Sequence, residues 1–234
     1  MTAVPISGSI ALVTGGQRGI GKAFADELLD RGAARVYVTA REPIESNDPR
    51  IVPLPLEVTD DESVAKLAAE IPEVSIVINN AGRGGAGIAI RSSIETMIAV
   101  FDANAIGPVR IAQAFAPKLA ASGGGALVNV VSLMSWAAGR GGYGASKAAL
   151  WSLTNSLRVE LAEQDTLVVG VHMGFVDTEL TAGSAEAKID PRLVAVAALD
   201  GVEAGATEVL VDEITRRVKA SLSGPVEGLT WQNA

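Results

Sequence analysis

The chain has no cysteine, and its 234 residues include a single histidine, His172. Disulfides, thiolate metal centres and a histidine-rich zinc site are therefore excluded; a carboxylate-only Mg²⁺ site stays formally open, but no metal is expected. Positive charge is also in deficit. Lys and Arg number 19 against 27 Asp and Glu, for a net charge of −8 and an isoelectric point near 4.8. Such a surface repels polyanions, so nucleic acid is not an expected partner and an acidic carrier protein is a less attractive one. No run approaches the roughly 18 apolar residues of a membrane span. The opening "MTAVPISGSIALVTGG" lacks the basic start and long apolar core of a signal peptide, so no membrane partner is expected and a reducing cytoplasm fits best. Internal repeats and low-complexity linkers are missing too, which leaves one domain over residues 1–234 as the expectation.

What is present has the balance of an ordinary globular protein, 48% hydrophobic and 20% charged. Short apolar, β-branched runs recur at "IALVT" (10–14), "VYVTA" (36–40), "IVPLPL" (51–56), "SIVINN" (75–80), "ALVNVVS" (126–132) and "LVVGVH" (167–172). Runs this apolar read as strands buried on both faces. Between them lie segments with helical spacing: "GIGKAFADELLDRG", "DDESVAKLAAEI", "SSIETMIAVFDANAIGPVRIAQAFAPKLAAS" and "YGASKAALWSLTNSLRVELAEQ". The alternation predicts a doubly wound α/β fold of the Rossmann type, a mostly parallel sheet of six or seven strands with helices on both faces. Thr59 or Asp60 in "TDDES" offers an N-cap, while Gly32 and "SGGG" (122–125) end helices. Residues 178–191 have no clean periodicity and read as a loop or short helices, either a mobile lid over a site or a plain surface connection. A helix (191–201), a short strand "EVLV" (208–211) and a final helix "DEITRRVKASL" follow.

"TGGQRGIGKA" (14–23) follows the first strand and opens the first helix, the place where a dinucleotide pyrophosphate meets a helix N-terminus. Gly15, Gly19 and Gly21 supply the bare backbone that such an approach requires, and Gln17, Arg18 and Ile20 complete the candidate cradle. Gly16 to Lys22 also spells the G-x-x-x-x-G-K of a nucleotide triphosphatase. That loop needs Ser or Thr next for Mg²⁺, and here Ala23 follows. At the end of the second strand an acid would hold the ribose hydroxyls of NAD, whereas arginine accommodates the 2′-phosphate of NADP. The strand ends "TAREP", with Arg41 and no acid before Glu42, and Arg18 adds a second cation, so NADP(H) is expected over NAD(H).

"YGASK" (143–147) places a phenol and an ammonium four residues apart, on one face of a helix. Together with "TGGQRGIG" (14–21), "NNAG" (79–82), Asn104 within a helix and Ser132 at the end of the fifth strand, it makes the chain resemble the short-chain dehydrogenases/reductases of the classical type over nearly its whole length. The resemblance implies that Tyr143 is the general acid/base and that Lys147 lowers its pKa and holds the nicotinamide ribose. It also implies that Ser132 bonds the substrate oxygen and that Asn104 helps position Lys147 through a relay water. Gly144, Ala145 and Ser146 are small, which would let cofactor and substrate approach that face. By the same resemblance Asn80, Ala81 and Gly82 pass the adenosine ribose, Glu57 and Val58 meet the adenine, and Gly174, Val176 and Thr178 hold the nicotinamide carboxamide.

Several positions depart from the family pattern. Glu57 stands where the family usually has Asp, and Met173-Gly174 where it tends to have Pro-Gly. Ser132 and Tyr143 are closer in sequence than is common, which predicts a shortened loop over "LMSWAAGRGG" and makes Ser135 a fallback for the serine role. The end of the chain lacks the family's usual "DGG"-like segment, so a dimer or monomer is expected. Candidate pocket residues are Met134, Ser135, Trp136, Met173, Phe175 and Leu180, with Arg83 and Arg140 at the rim. They are mostly apolar and suit an aldehyde or ketone of moderate size better than a sugar. His172 reads as a strand-end residue. Two classes of function are compatible: an NADPH-dependent carbonyl reductase or the reverse alcohol dehydrogenase, with 3-oxoacyl-thioester reduction as the nearest rival, and a non-catalytic NADP-binding regulator on the same fold.

Overall fold

The structure, a computed structural model, describes residues 3–230. Its strands are β1 (Ile10–Val13), β2 (Arg35–Ala40), β3 (Ile51–Pro55), β4 (Ile76–Asn79), β5 (Ala126–Val130), β6 (Leu167–His172) and β7 (Glu208–Leu210). The helices are α1 (Gly19–Asp30), α2 (Asp61–Glu70), α3 (Ile94–Phe101), α4 (Gly107–Ala121), α5 (Gly141–Glu160), α6 (Pro191–Glu203) and α7 (Glu213–Ala220). All strands run parallel in one sheet, in the order β3-β2-β1-β4-β5-β6-β7. The chain proceeds outward from β1 to β3, then returns to the other side of β1 with β4. The crevice beyond the ends of β1 and β4 is thus the switch point at which doubly wound sheets take ligands.

Period-two alternation distributes the strand side chains between two cores. Ala11 and Val13, Val36 and Val38, Ile76 and Ile78, and Val169 and Val171 face Phe24 and Leu28 of α1 and Val194 and Leu199 of α6. Leu12, Tyr37, Val77, Leu127 and Val168 face Leu67 of α2, Ile111 and Phe115 of α4 and Leu157 of α5. The inner strands are therefore covered on both sides, as their composition predicts. The exceptions are the two edge strands, β3 and β7, whose residues are at most partly buried. An edge strand is where Pro53 and Pro55 of β3 are tolerated, because an outward-facing position has no ladder bond to lose.

Helix boundaries follow side-chain chemistry. Asp60, Ser93, Asp190 and Asp212 accept hydrogen bonds from the first turns of α2, α3, α6 and α7. Gly32, with φ of 85°, and Gly123, with φ of 83°, end α1 and α4 in the left-handed conformation that glycine allows. The long helix expected over 92–122 is interrupted. Residues Asp102–Ile106 form a π-helical turn between α3 and α4, with Gly107 N donating five residues back to Asp102 O. Pro108 explains part of this: it has no N–H to give the carbonyl four residues back, that of Asn104. No helix among the described residues is long and apolar enough to cross a membrane.

Candidate active site

The glycine loop between β1 and α1 is built around Thr14 and Asn80. Thr14 Oγ1 accepts from the backbone N–H groups of Asn80 and Ala81, both at 3.0 Å, and Asn80 Nδ2 donates to the carbonyls of Thr14 and Gly15 at 2.9 and 3.1 Å. These bonds draw the two loops so close that a Cβ on Gly21 would lie 2.1 Å from Gly15 O. Gly15 and Gly19 have φ of 63° and 52°. The N-terminus of α1 carries no side-chain cap and no acid in its first turn, unlike α2, α3, α6 and α7, each of which has a capping side chain. Its unpaired N–H groups and positive dipole end suit an anion, so the residues present fit a dinucleotide phosphate.

The flanking candidates are placed as follows. Gln17 brackets the backbone of Ile44 on both sides, its Oε1 accepting from Ile44 N at 2.9 Å, and so shapes the loop after β2. Arg41 is exposed at the end of that strand. Arg18 does not turn toward it but pairs with Glu179 across the cleft mouth. Ile20 packs on the core, and Val58 is buried against Gly107. The carboxylate of Glu57 is engaged by Thr59, N–H and hydroxyl both, and this turn starts α2.

Asn104 lies buried on the π turn. Its Oδ1 accepts from Arg83 N at 2.8 Å, and its Nδ2 donates to Arg83 O and to Ser146 Oγ, each at 3.0 Å. Ser146 in turn donates to Tyr143 O at 2.7 Å. One amide thus holds the strand-end loop at Arg83 and the first turn of α5 together. A Cβ at Gly82 would be 2.9 Å from Asn104 Oδ1, so glycine there admits the amide.

Tyr143 and Lys147 sit one turn apart on α5, whose N-terminal arginine, Arg140, provides no side-chain cap. Tyr143 is half-buried with its hydroxyl beside the Ser132 side chain, whose Oγ accepts from Met134 N at 3.1 Å. Burial pushes the phenol up from its ordinary value, and the Ser132 contact and the Arg140 charge oppose it. Lys147 does not figure among these influences. The ammonium is itself buried and donates to Val130 O at 2.8 Å, and burial brings it down to about 8. The small residues beside Tyr143 also serve packing within the protein. A Cβ on Gly144 would be 3.2 Å from Met134 O and one on Gly142 2.9 Å from Ala86, while Ser146 meets Asn104.

The pocket candidates divide. Met173 belongs to the core beneath β6, and Trp136 is buried and stacked on His172. Ser135 donates to Ser132 O at 2.7 Å, so its hydroxyl hydrogen is committed to a backbone carbonyl. Met134 packs in a small cluster with Tyr143 and Phe175, Arg140 lies 5.5 Å over the Phe175 ring, and Arg83 is exposed. Leu180 is exposed and leans on Gly84, where a Cβ would meet it at 2.7 Å. Thr178 lies over Gly19, where a Cβ would be 3.1 Å from Thr178 Cγ2. The irregular stretch therefore spans the cleft. It is anchored at its base by a parallel bridge between Val176 and Ile189. Gly174 N donates to Asp212 Oδ2 at 2.8 Å. Sequence reading missed Asp212 as a support and gave Thr14 no role beyond opening "TGGQRGIG", because each acts on a distant loop.

A family model for short chain dehydrogenase matches residues 9–189. The chain belongs to the short-chain dehydrogenase family. Carbonyl reductase family member 4 of Danio rerio is 33% identical over 189 residues, covering 76% of this chain and 79% of the relative. The 3-oxoacyl-[acyl-carrier-protein] reductase of Aquifex aeolicus is 29% identical over 194 residues, covering 76% and 78%. Among solved structures, a short-chain dehydrogenase from Burkholderia cenocepacia in complex with NADP superposes with a TM-score of 0.89 at 33% identity, covering 98% of this chain and 97% of that one. The fold and the order of the motifs are those of the family, which makes the protein an oxidoreductase.

Proposed function

We propose that this short-chain dehydrogenase reduces an aldehyde or ketone with NADPH, or oxidises the corresponding secondary alcohol in reverse. The observation that carries the reading is the Tyr143 hydroxyl, set beside Ser132 and one helical turn from Lys147, next to a glycine loop at an uncapped helix N-terminus. Gly15, Gln17, Arg18, Gly19, Ile20 and Gly21 would hold the phosphates. Asn80 to Gly82 and Val58 would border the adenosine, and Lys147, Gly174, Val176 and Thr178 the nicotinamide end. Bound there, reduced nicotinamide supplies a hydride.

The chain's own residues supply orientation and a proton. Ser132 Oγ already accepts from Met134 N, so its hydrogen is available to the substrate oxygen. Tyr143 then gives its proton to that oxygen as the carbonyl carbon is reduced. A phenol kept protonated by burial is a competent donor at neutral pH. Arg41, exposed where an acid would read the NAD ribose, favours the 2′-phosphate. Phe175, Met134 and Leu180 favour an apolar carbonyl compound. The similarity to the Aquifex reductase supports acyl thioesters as the second substrate class.

NADPH consumption over ketones, aldehydes and acyl thioesters tests this reading. Tyr143→Phe is expected to lower kcat by roughly 10²–10⁴-fold, and retention of near wild-type turnover would remove the assignment. Arg41→Asp should weaken NADPH relative to NADH, an unchanged ratio excluding the phosphate role. We also propose a homodimer, supported by an exposed apolar stripe of Ile94, Ile98 and Phe101 on α3 that continues past the π turn to Ile106.

A further inference from the structure

The structure grips Ser132 by its carbonyl as well as by its hydroxyl. Ser132 O accepts from the backbone N–H of Ser135 at 3.1 Å and from the Ser135 hydroxyl at 2.7 Å, and it lies 3.2 Å from His172 Nδ1. Ser135 Oγ and His172 Nδ1 are 3.3 Å apart, and all three residues are buried. A carbonyl can only accept, so the His172 contact is a bond only when Nδ1 carries the hydrogen. That leaves a lone pair on Nε2, which has no hydrogen-bond partner. Burial pushes His172 down to about 3, with Lys219, Lys147 and Arg158 acting in the same direction, so the ring stays neutral at working pH. It is also fixed in place. It stacks on Trp136 with centroids 4.0 Å apart and planes 14° from parallel, and Lys219 Nζ lies 4.6 Å over the Trp136 ring.

Ser135, His172 and Glu208 fall in a line that resembles a hydrolytic relay in composition. The geometry rules that out: His172 Nε2 and Glu208 Oε1 are 3.9 Å apart, Glu208 is held by Lys219 at 2.7 Å, and the Ser135 hydroxyl is buried against a carbonyl. The cluster faces Ser132.

We propose, resting on the carbonyl-reductase reading above, that His172 is a positioning residue: together with Ser135 it clamps the Ser132 carbonyl at the end of β5 and thereby aims the Ser132 hydroxyl at Tyr143 and the substrate oxygen. Beyond β5 the sheet ladder continues only through Val131 N and Leu133 N, which donate to Val171 O and Met173 O. The intervening Ser132 carbonyl takes its partners from His172 and Ser135 instead. Loss of the His172 bond frees the turn that sets the Ser132 χ1 direction, and small displacements of a reacting group are costly.

The test compares His172→Phe, which keeps an aromatic ring against Trp136 but removes the N–H, with His172→Asn, which restores an amide near the Nδ1 position. His172→Phe is expected to lower kcat about 10- to 100-fold with the KM for NADPH within about twofold of wild type, and His172→Asn to recover most of that loss. The alkaline limb of kcat in His172→Phe should move to higher pH, because the Ser132 contact opposes the burial that raises Tyr143, while Arg140 and, one turn along, Lys147 are unchanged. A kcat for His172→Phe within about twofold of wild type overturns the proposal, as does an Asn variant no better than Phe. Tyr143→Phe is measured beside them: if it abolishes turnover while His172→Phe does not, only the clamp fails, and if it retains turnover the underlying reading fails instead. Should His172→Phe not fold, Ser135→Ala removes the second side-chain donor; a several-fold loss of kcat at unchanged NADPH affinity supports the clamp, and wild-type kcat overturns it.

Discussion

An ammonium with no counter-charge beside it is the costliest residue in this site. Lys147 is buried, bonded to one carbonyl, and brought down to about 8 by that burial. Its folded pKa lies below the ordinary 10.5, so the unfolded chain binds the proton more tightly. Below about pH 8 the folded state carries the whole penalty; between about 8 and 10.5 stability rises with pH as the folded lysine deprotonates first. The shift corresponds to about 3 kcal/mol, reduced by about 1 kcal/mol for the Val130 hydrogen bond that truncation also removes. Lys147→Met is therefore expected to melt roughly 4–8 °C higher than wild type at pH 7 while losing activity, and the difference should shrink at about pH 9.5. Melting curves at the two pH values check both size and sign. The spacing of "YGASK" makes Tyr143 and Lys147 legible as a pair in the sequence. Their proton affinities are not, because desolvation depends on which distant segments cover the helix.

At the scale of elements, the glycine loop and the π turn meet through "NNAG". Gly21→Ala would force its methyl to 2.1 Å from Gly15 O, a backbone contact that cannot yield cheaply. That variant should lose the NADPH-induced rise in melting temperature even where it still folds, as differential scanning fluorimetry would report. Asn104→Ala removes three hydrogen bonds and leaves Arg83 N and O with no side-chain partner. A loss of about 2–4 kcal/mol is expected, read by denaturant titration, together with weaker NADPH binding. Periodicity alone shows one long apolar helix from 92 to 122. A single extra residue in the π turn leaves the spacing nearly intact, so only the Gly107-Pro108 pair hints at the break.

For the molecule as a whole, the sheet order and the exposed stripe decide what the chain presents to its surroundings. Ile98→Glu puts a charge at the middle of the stripe from Ile94 to Ile106 without touching the core. It should convert the proposed dimer to monomer, with a halved mass in light scattering and an unchanged fold by circular dichroism; a monomeric wild type would remove the proposal. The stretch at 178–191 shows how long-range contacts settle what local pattern leaves open. It reads as irregular, yet Glu179, Thr178 and Leu180 each engage a residue across the cleft.

Strand composition was enough to determine a doubly wound sheet, and glycine spacing and the Tyr–Lys interval to point to a phosphate loop and a proton donor, because each depends on residues a few positions apart. Tertiary structure alone decided that Met173, Trp136 and Ser135 face inward, that Arg18 pairs with Glu179, and that His172 lies against the Ser132 carbonyl. Those outcomes depend on burial and on partners as far as 161 positions away, and no local periodicity encodes which of them will meet.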